Sequence, residues 1–150
     1  MKKQRIYIDT SVVGGCLDEE FREDSCALFE MARRGEVVLL FSDLLTAELV
    51  GAPDGVRAML ECMPSGTLEQ MQLSEEAAQL RDTYLDEAIV GQACANDAYH
   101  VALATVAHAD VIVSWNFRHI VHLDKIRGFN AVNIREGYGT IEIRSPREVT

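Results

Sequence analysis

Short continuous apolar runs alternate along the chain with amphipathic stretches. Ile6-Tyr7-Ile8 is one such run; it stops at Asp9 and predicts a first strand. Ser25 to Arg34 predicts a helix with Leu28, Phe29 and Ala32 on one face and Gly35 as its stop. Val37 to Phe41 is continuously apolar, the pattern of a strand buried on both faces. Ser42 then stands where an N-cap belongs, ahead of a helix carrying Leu45, Glu48 and Leu49 that ends near Gly51-Ala52-Pro53.

Asp54 to Met63 predicts a short helix closed by Pro64-Ser65-Gly66, and Thr67 to Leu73 a further strand. Ser74-Glu75-Glu76 opens a long helix whose apolar stripe is Ala77, Leu80, Tyr84, Ala88 and the neighbouring Ile89. From about Asn96 to His108 a second helix is nearly all Ala, Val and Leu, a composition that belongs inside a protein. Asp110 to Ser114 predicts another strand. Beyond Trp115, part of His119 to Arg135 is expected to be helical with Gly128 as a break, and Ile141-Glu142-Ile143 to form a last, edge strand. This β-α-β-α order predicts an α/β fold: three layers, α/β/α, around a mainly parallel sheet. No linker, repeat or low-complexity tract interrupts it, so residues 1–150 read as a single domain.

Composition agrees with that reading. With 48% hydrophobic and 25% charged residues, the 150-residue chain can bury one core and is not disordered. No apolar run approaches the ~20 residues of a membrane span. The basic start, Met1 to Arg5, precedes only three apolar residues, too few for a signal peptide, so a cytoplasmic protein is expected. Cys16, Cys26, Cys62 and Cys94 form no CxxC pair, which argues against structural zinc and for reduced thiols. A net charge of −10 argues against holding nucleic acid by general electrostatic attraction. It leaves room for a metal-dependent enzyme acting on a phosphodiester, because bound cations reverse the sign of an acidic site.

Such a site is suggested by four residues. In open parallel sheets, active groups gather at the carboxyl ends of strands. Asp9-Thr10-Ser11 follows the first strand and Ser114-Trp115-Asn116 a later one, while Glu48 and Asp97 lie on the helices between. Asp9, Glu48, Asp97 and Asn116 all offer oxygen, which suits Mg²⁺ or Mn²⁺ and not Zn²⁺. Each has an ordinary structural role open to it as well. Asp9 fits an N-cap, Glu48 a solvated helix face, Asp97 a helix N-terminus and Asn116 a turn. Thr10 and Ser11 suit either orienting Asp9 or capping; Arg118 and His119 suit either a phosphate contact or an ordinary exposed surface; His119 and His122 stand three apart, as a metal pair on one helix face would, but with no third ligand nearby in sequence they suit surface or packing roles better. Trp115 reads as packing in preference to a base-stacking platform.

The ordered set resembles the PIN-domain ribonucleases. Ile6-Tyr7-Ile8-Asp9-Thr10-Ser11 is similar to their opening motif, and Glu48 to their helical glutamate. Asn96-Asp97-Ala98 with the Ala-rich helix resembles their central aspartate, and Val111 to Phe117 their final strand and acidic turn. The resemblance covers roughly residues 5 to 120. It implies a metal-dependent endoribonuclease, with Asp9, Glu48, Asp97 and Asn116 as catalytic and metal-holding residues and Mg²⁺ or Mn²⁺ as cofactor. Because single-domain prokaryotic members are often VapC-type toxins, it also implies an RNA substrate, an antitoxin protein as partner, and a homodimer. The sequence departs from the pattern at Asn116, where the family often has aspartate. The site then holds three carboxylates, and a second cation would be held more weakly. Two other functions compete. A haloacid-dehalogenase-like phosphotransferase with Asp9 as nucleophile wants a second Asp two residues on, where this chain has Ser11. A degenerate PIN-like module that binds RNA or a partner without cleaving is supported by Asn116 and the net charge.

Overall fold

The computed structural model describes residues 2–150. Strands β1 (Gln4–Ile8), β2 (Val37–Ser42), β3 (Leu68–Met71), β4 (Val111–Val113) and β5 (Glu142–Arg144) form one sheet in the order β3-β2-β1-β4-β5. Every neighbouring pair is parallel. The helices are α1 (Thr10–Gly15), α2 (Arg22–Arg33), α3 (Asp43–Glu48), α4 (Asp54–Glu61), α5 (Glu75–Asp86), α6 (Ala95–Val106), α7 (Leu123–Arg135) and α8 (Pro146–Val149). Short 3-10 turns at Leu49–Gly51 and Gln92–Cys94 follow α3 and precede α6. No helix among the described residues is long and apolar enough to cross a membrane.

Side chains alternate across the sheet, as the strand pleat requires. Ile6 and Ile8 of β1 share a buried layer with Val12, Leu28, Phe29 and Leu45 from α1, α2 and α3. Tyr7 points the other way, into a layer built with α5, α6 and α7: Leu80, Tyr84, Leu103 and Phe129. The three-layer α/β/α architecture follows directly. Helix α6 is buried over the whole stretch Ala98 to Thr105, as its composition requires.

Several local expectations are corrected. Helix α1 was not foreseen, because Val12-Val13-Gly14-Gly15 carries β-branched residues and glycines, which have low helix propensity; burial of Val12 and Val13 against the sheet overrides that preference. Helix α5 stops at Asp86, and Ala88 lies outside it with a positive φ of 56°. Gly128 does not break α7; it lies inside the helix, where a Cβ would come within 2.8 Å of Ile89 Cδ1. A Gly there serves close packing, not a turn. The short α8 was likewise unforeseen, although Ser145 and Glu148 form a capping box at its start.

Gly15, at the end of α1, is tighter still. A Cβ there would lie 2.4 Å from Ser25 Oγ and 2.7 Å from Trp115 Nε1, two atoms that hydrogen-bond each other at 2.8 Å. Gly15→Ala is therefore expected to destabilise the protein by about 1–3 kcal/mol, the usual range for overpacking. Denaturant unfolding checks this; a variant as stable as the parent would mean that Trp115 and Ser25 can yield.

Candidate active site

The chain builds β1, β2 and β3 outward on one side, then returns to place β4 on the other side of β1. Such a reversal opens a crevice at the carboxyl ends of the two central strands. Asp9 leaves β1 there, and Ser114-Trp115-Asn116 leave β4. Glu48 closes α3, which starts at the carboxyl end of β2, and Asp97 sits in the first turn of α6.

Asp9 occupies the N-cap position of α1 in extended backbone, yet its carboxylate does not cap the helix. Oδ1 accepts from Ser11 Oγ at 2.6 Å and Oδ2 from Ser114 Oγ at 2.5 Å. The residue is only 4% exposed. Burial raises its pKa above the ordinary aspartate value, against the opposing pull of His100 and the two serine hydroxyls. The same hydroxyls accept from the chain after β4: Ser11 Oγ from Trp115 N–H and Ser114 Oγ from Asn116 N–H, each at 2.9 Å. Asp9 is thus tied to the end of β4 through two serines.

Asp97 also has a raised pKa, first from burial and then from the charge of Asp9. The charges of His119 and His100 and a hydrogen bond with Asn116 act in the lowering direction. A carboxylate whose proton affinity is raised by a neighbouring carboxylate lies in a site short of positive charge. Asn116 is arranged differently from a ligand. Its Oδ1 accepts the N–H groups of Arg118 at 3.2 Å and His119 at 2.9 Å, so the oxygen expected to serve a cation is engaged by the following turn. What remains for Asp97 is the amide's N–H side.

Glu48 is held from one side. Oε1 accepts from Thr10 Oγ1 at 2.8 Å and from His100 Nε2 at 2.6 Å. Oε2 takes no hydrogen bond from the described residues. Burial tends to raise the Glu48 pKa, but the hydrogen bond and charge of His100 and the bond from Thr10 outweigh it and bring it below the ordinary value. His100 is buried and continues inward: its Nδ1 lies 2.7 Å from Tyr7 Oη, which lies 2.8 Å from Ser42 Oγ. An ionised carboxylate only accepts, so Nε2 carries the hydrogen; in the neutral ring Nδ1 then accepts from Tyr7 and Ser42 donates to Tyr7. Ser42 stands at the N-cap of α3, but its hydroxyl serves this chain and not the helix. Among the described residues no buried side-chain nitrogen or oxygen lacks a partner.

Sequence reasoning missed His100, Tyr7, Ser42 and Ser114. The available signal was a lone histidine on an otherwise apolar helix, three residues after Asp97 and so on the same helical face. His119 and His122 do not share a helix face: His119 lies in the turn before α7 and His122 is the residue that precedes the helix. Trp115 is packed, with Phe21 stacked on it at 4.2 Å between ring centroids. The four cysteines are free thiols.

Among the described residues no group of three His, Cys, Asp or Glu side chains stands ready to hold a metal ion. A Mg²⁺ ion asks for less, commonly one or two carboxylates with water completing its shell. Asp9 and Asp97 are such a pair, hard oxygen donors in a site with excess negative charge, and they fit a hard divalent cation.

No protein-family model matches the chain, and no curated protein matches it in sequence. Solved structures do match in three dimensions. VapBC2 from Rickettsia felis, solved bound to a DNA fragment from its promoter, superposes with a TM-score of 0.58 at 14% identity over 95% of this chain and 98% of that one. FitAcB from Neisseria gonorrhoeae gives 0.57 at 16% identity, over 95% and 98%. VapC20 from Mycobacterium tuberculosis, described as a Sarcin-Ricin loop cleaving toxin, gives 0.56 at 13% identity, over 91% and 98%. Identity this low carries the architecture and not the chemistry: the chain has the α/β/α fold of PIN domains, the fold of VapC-type toxins.

Proposed function

We propose that this protein is a metal-dependent endoribonuclease of VapC type, the toxin of a toxin–antitoxin pair, hydrolysing RNA phosphodiester bonds. The observation that carries the reading is Asp9 and Asp97 at the sheet's switch point, the charge of Asp9 acting on Asp97, with Glu48 fixed in place by Thr10 and His100. Asp9 and Asp97 would hold Mg²⁺ or Mn²⁺. A cation bound there supplies positive charge at the scissile phosphate and lowers the pKa of water. Ser11 and Ser114 hold both oxygens of Asp9, so that carboxylate presents one fixed geometry. Glu48 keeps its charge at neutral pH, and its free Oε2 orients a water by accepting a hydrogen bond. One of the carboxylates, Asp97 or Glu48, would take a proton from water. Asn116 lies close enough to Asp97 to lower its proton affinity.

An RNA substrate, an antitoxin partner, a homodimer and a cytoplasmic location belong to the same reading. Its support is the shared fold with VapBC2, FitAcB and VapC20, together with the acidic site. The net charge and the engaged Asn116 oxygen favour the second reading, a PIN-like module that binds without cleaving.

A titration of Mg²⁺ and Mn²⁺ separates the two. The expected result is cleavage of single-stranded or structured RNA that needs one of these ions and stops with EDTA. The melting temperature should rise with added cation, because the ion binds only the assembled site. No cleavage and no shift in melting temperature at millimolar Mg²⁺ or Mn²⁺ would leave the binding module as the better reading.

A further inference from the structure

We infer that Phe117 and Arg118 form a nucleotide subsite beside the acidic crevice, where Phe117 stacks on a base of single-stranded RNA and Arg118 binds the adjoining phosphate. The inference rests on the nuclease reading for its partner but on separate residues for its evidence. Phe117 is 49% exposed although it is a large aromatic. Its one aromatic neighbour among the described residues is Trp115, which it meets edge-on at 6.1 Å, and this leaves ring surface open to solvent. Nucleobases offer a π-face of any sequence to such a ring.

The charge distribution points the same way. Eight of the eleven arginines of this acidic chain are in ion pairs with carboxylates. Arg22, Arg118 and Arg127 are in none among the described residues, and Arg118 lies two residues from Asn116. An exposed guanidinium kept free of acids, in a protein of net charge −10, is available to a phosphate.

The backbone carrying both side chains is fixed. Asn116 Oδ1 accepts the N–H groups of Arg118 and His119, and its carbonyl oxygen accepts those of Ile120 at 3.1 Å and Val121 at 2.8 Å. Phe117 N–H donates to Trp115 O at 3.0 Å. Four N–H groups on one asparagine, whose own N–H donates to the Ser114 hydroxyl that binds Asp9, set the turn and the acidic site in one geometry. A base on Phe117 and a phosphate on Arg118 would therefore register the next phosphodiester over Asp97.

The test is fluorescence anisotropy of a labelled ten-nucleotide single-stranded RNA, with Ca²⁺ in place of Mg²⁺, alongside kcat and KM for cleavage in Mn²⁺. Phe117→Ala is expected to weaken binding about tenfold, within the range known for lost base stacking, and Phe117→Trp to restore it. Arg118→Ala should lower the salt dependence of binding by about one counterion, with Arg118→Lys largely retaining it. Both alanine variants should raise KM more than they lower kcat. Replacing the stacked nucleotide by an abasic one should cancel the Phe117→Ala effect. Unchanged binding in both alanine variants would overturn the subsite while metal-dependent cleavage by the parent still upheld the nuclease. Absent cleavage with intact Phe117-dependent binding would do the reverse. If Phe117→Ala left RNA binding alone but dissociated a dimer in light scattering, the surface would belong to protein and the inference would fall.

Discussion

Asp97→Asn is expected to abolish RNA cleavage, by at least about 1,000-fold, and at the same time to stabilise the metal-free protein. The two effects share one cause. Asp97 is partly buried and faces the charge of Asp9, so its ionised form is disfavoured in the fold. An amide of the same size removes that repulsion and with it the negative charge that would hold a cation. A gain of about 1 kcal/mol would raise the melting temperature by about 2–4 °C in a chain of this length. The pH dependence has a definite sign. Asp9 and Asp97 both have folded pKa values above the ordinary aspartate value of about 3.9. Between that value and the raised one the folded state binds more protons than the unfolded state, so stability falls as pH rises through the window. Glu48, with its lowered pKa, works oppositely: its contribution is present above the unfolded glutamate value of about 4.3 and is lost as pH falls through the folded one. The advantage of Asp97→Asn in EDTA should then be widest at neutral pH and shrink as the parent's Asp97 becomes protonated. Asn116→Asp is the natural contrast. It replaces an amide that lowers the proton affinity of Asp97 by a further carboxylate, so it should lower the melting temperature in EDTA and enlarge the gain on adding Mg²⁺. Melting curves across pH, with and without Mg²⁺, measure both variants. A less stable Asp97→Asn protein at neutral pH would mean that the two aspartates do not strain the site.

The acidic residues could be picked out from the sequence because each sits where a strand ends or a helix begins. Asp9 stops an apolar run, Asp97 opens an Ala-rich helix and Asn116 follows the last central strand, and these positions depend on chain order alone. What each side chain does there depends on partners far away in sequence. Ser114 reaches Asp9 across 105 positions and His100 reaches Glu48 across 52. No local pattern announces such pairs. Asn116 shows the difference clearly: its place at the site is local information, but which way its amide turns is decided by the N–H groups of Arg118 and His119. Helix α1 and the unbroken α7 were misjudged for a related reason. Gly14-Gly15 and Gly128 look like breakers, yet the structure uses Gly15 and Gly128 for their lack of a side chain, against Trp115 and Ile89. Propensity is a weak prior wherever two elements pack this closely.

His100→Ala should lower kcat about 10- to 100-fold with little change in KM, the size of effect seen when a group that orients an active carboxylate is lost. Glu48 has two anchors on Oε1, Thr10 and His100, and the histidine bond is the shorter at 2.6 Å. Removing the ring frees the carboxylate to rotate and mixes the roles of its two oxygens, so Oε2 no longer faces a single direction. Tyr7→Phe should cost less, because the Nε2 bond to Glu48 survives while only the hydrogen bond at Nδ1 is lost. A purely structural role for His100 would give a different pattern: a lower melting temperature with kcat restored once the temperature is reduced. The sharper comparison is a double-mutant cycle. If His100 acts through Glu48, then His100→Ala adds almost nothing to the rate loss in a Glu48→Ala background, whereas independent effects multiply. Full multiplication would detach the histidine from the carboxylate. The Tyr7–Ser42 pair would then be a buried polar cluster with no part in the chemistry, and Thr10 alone would be left to position Glu48.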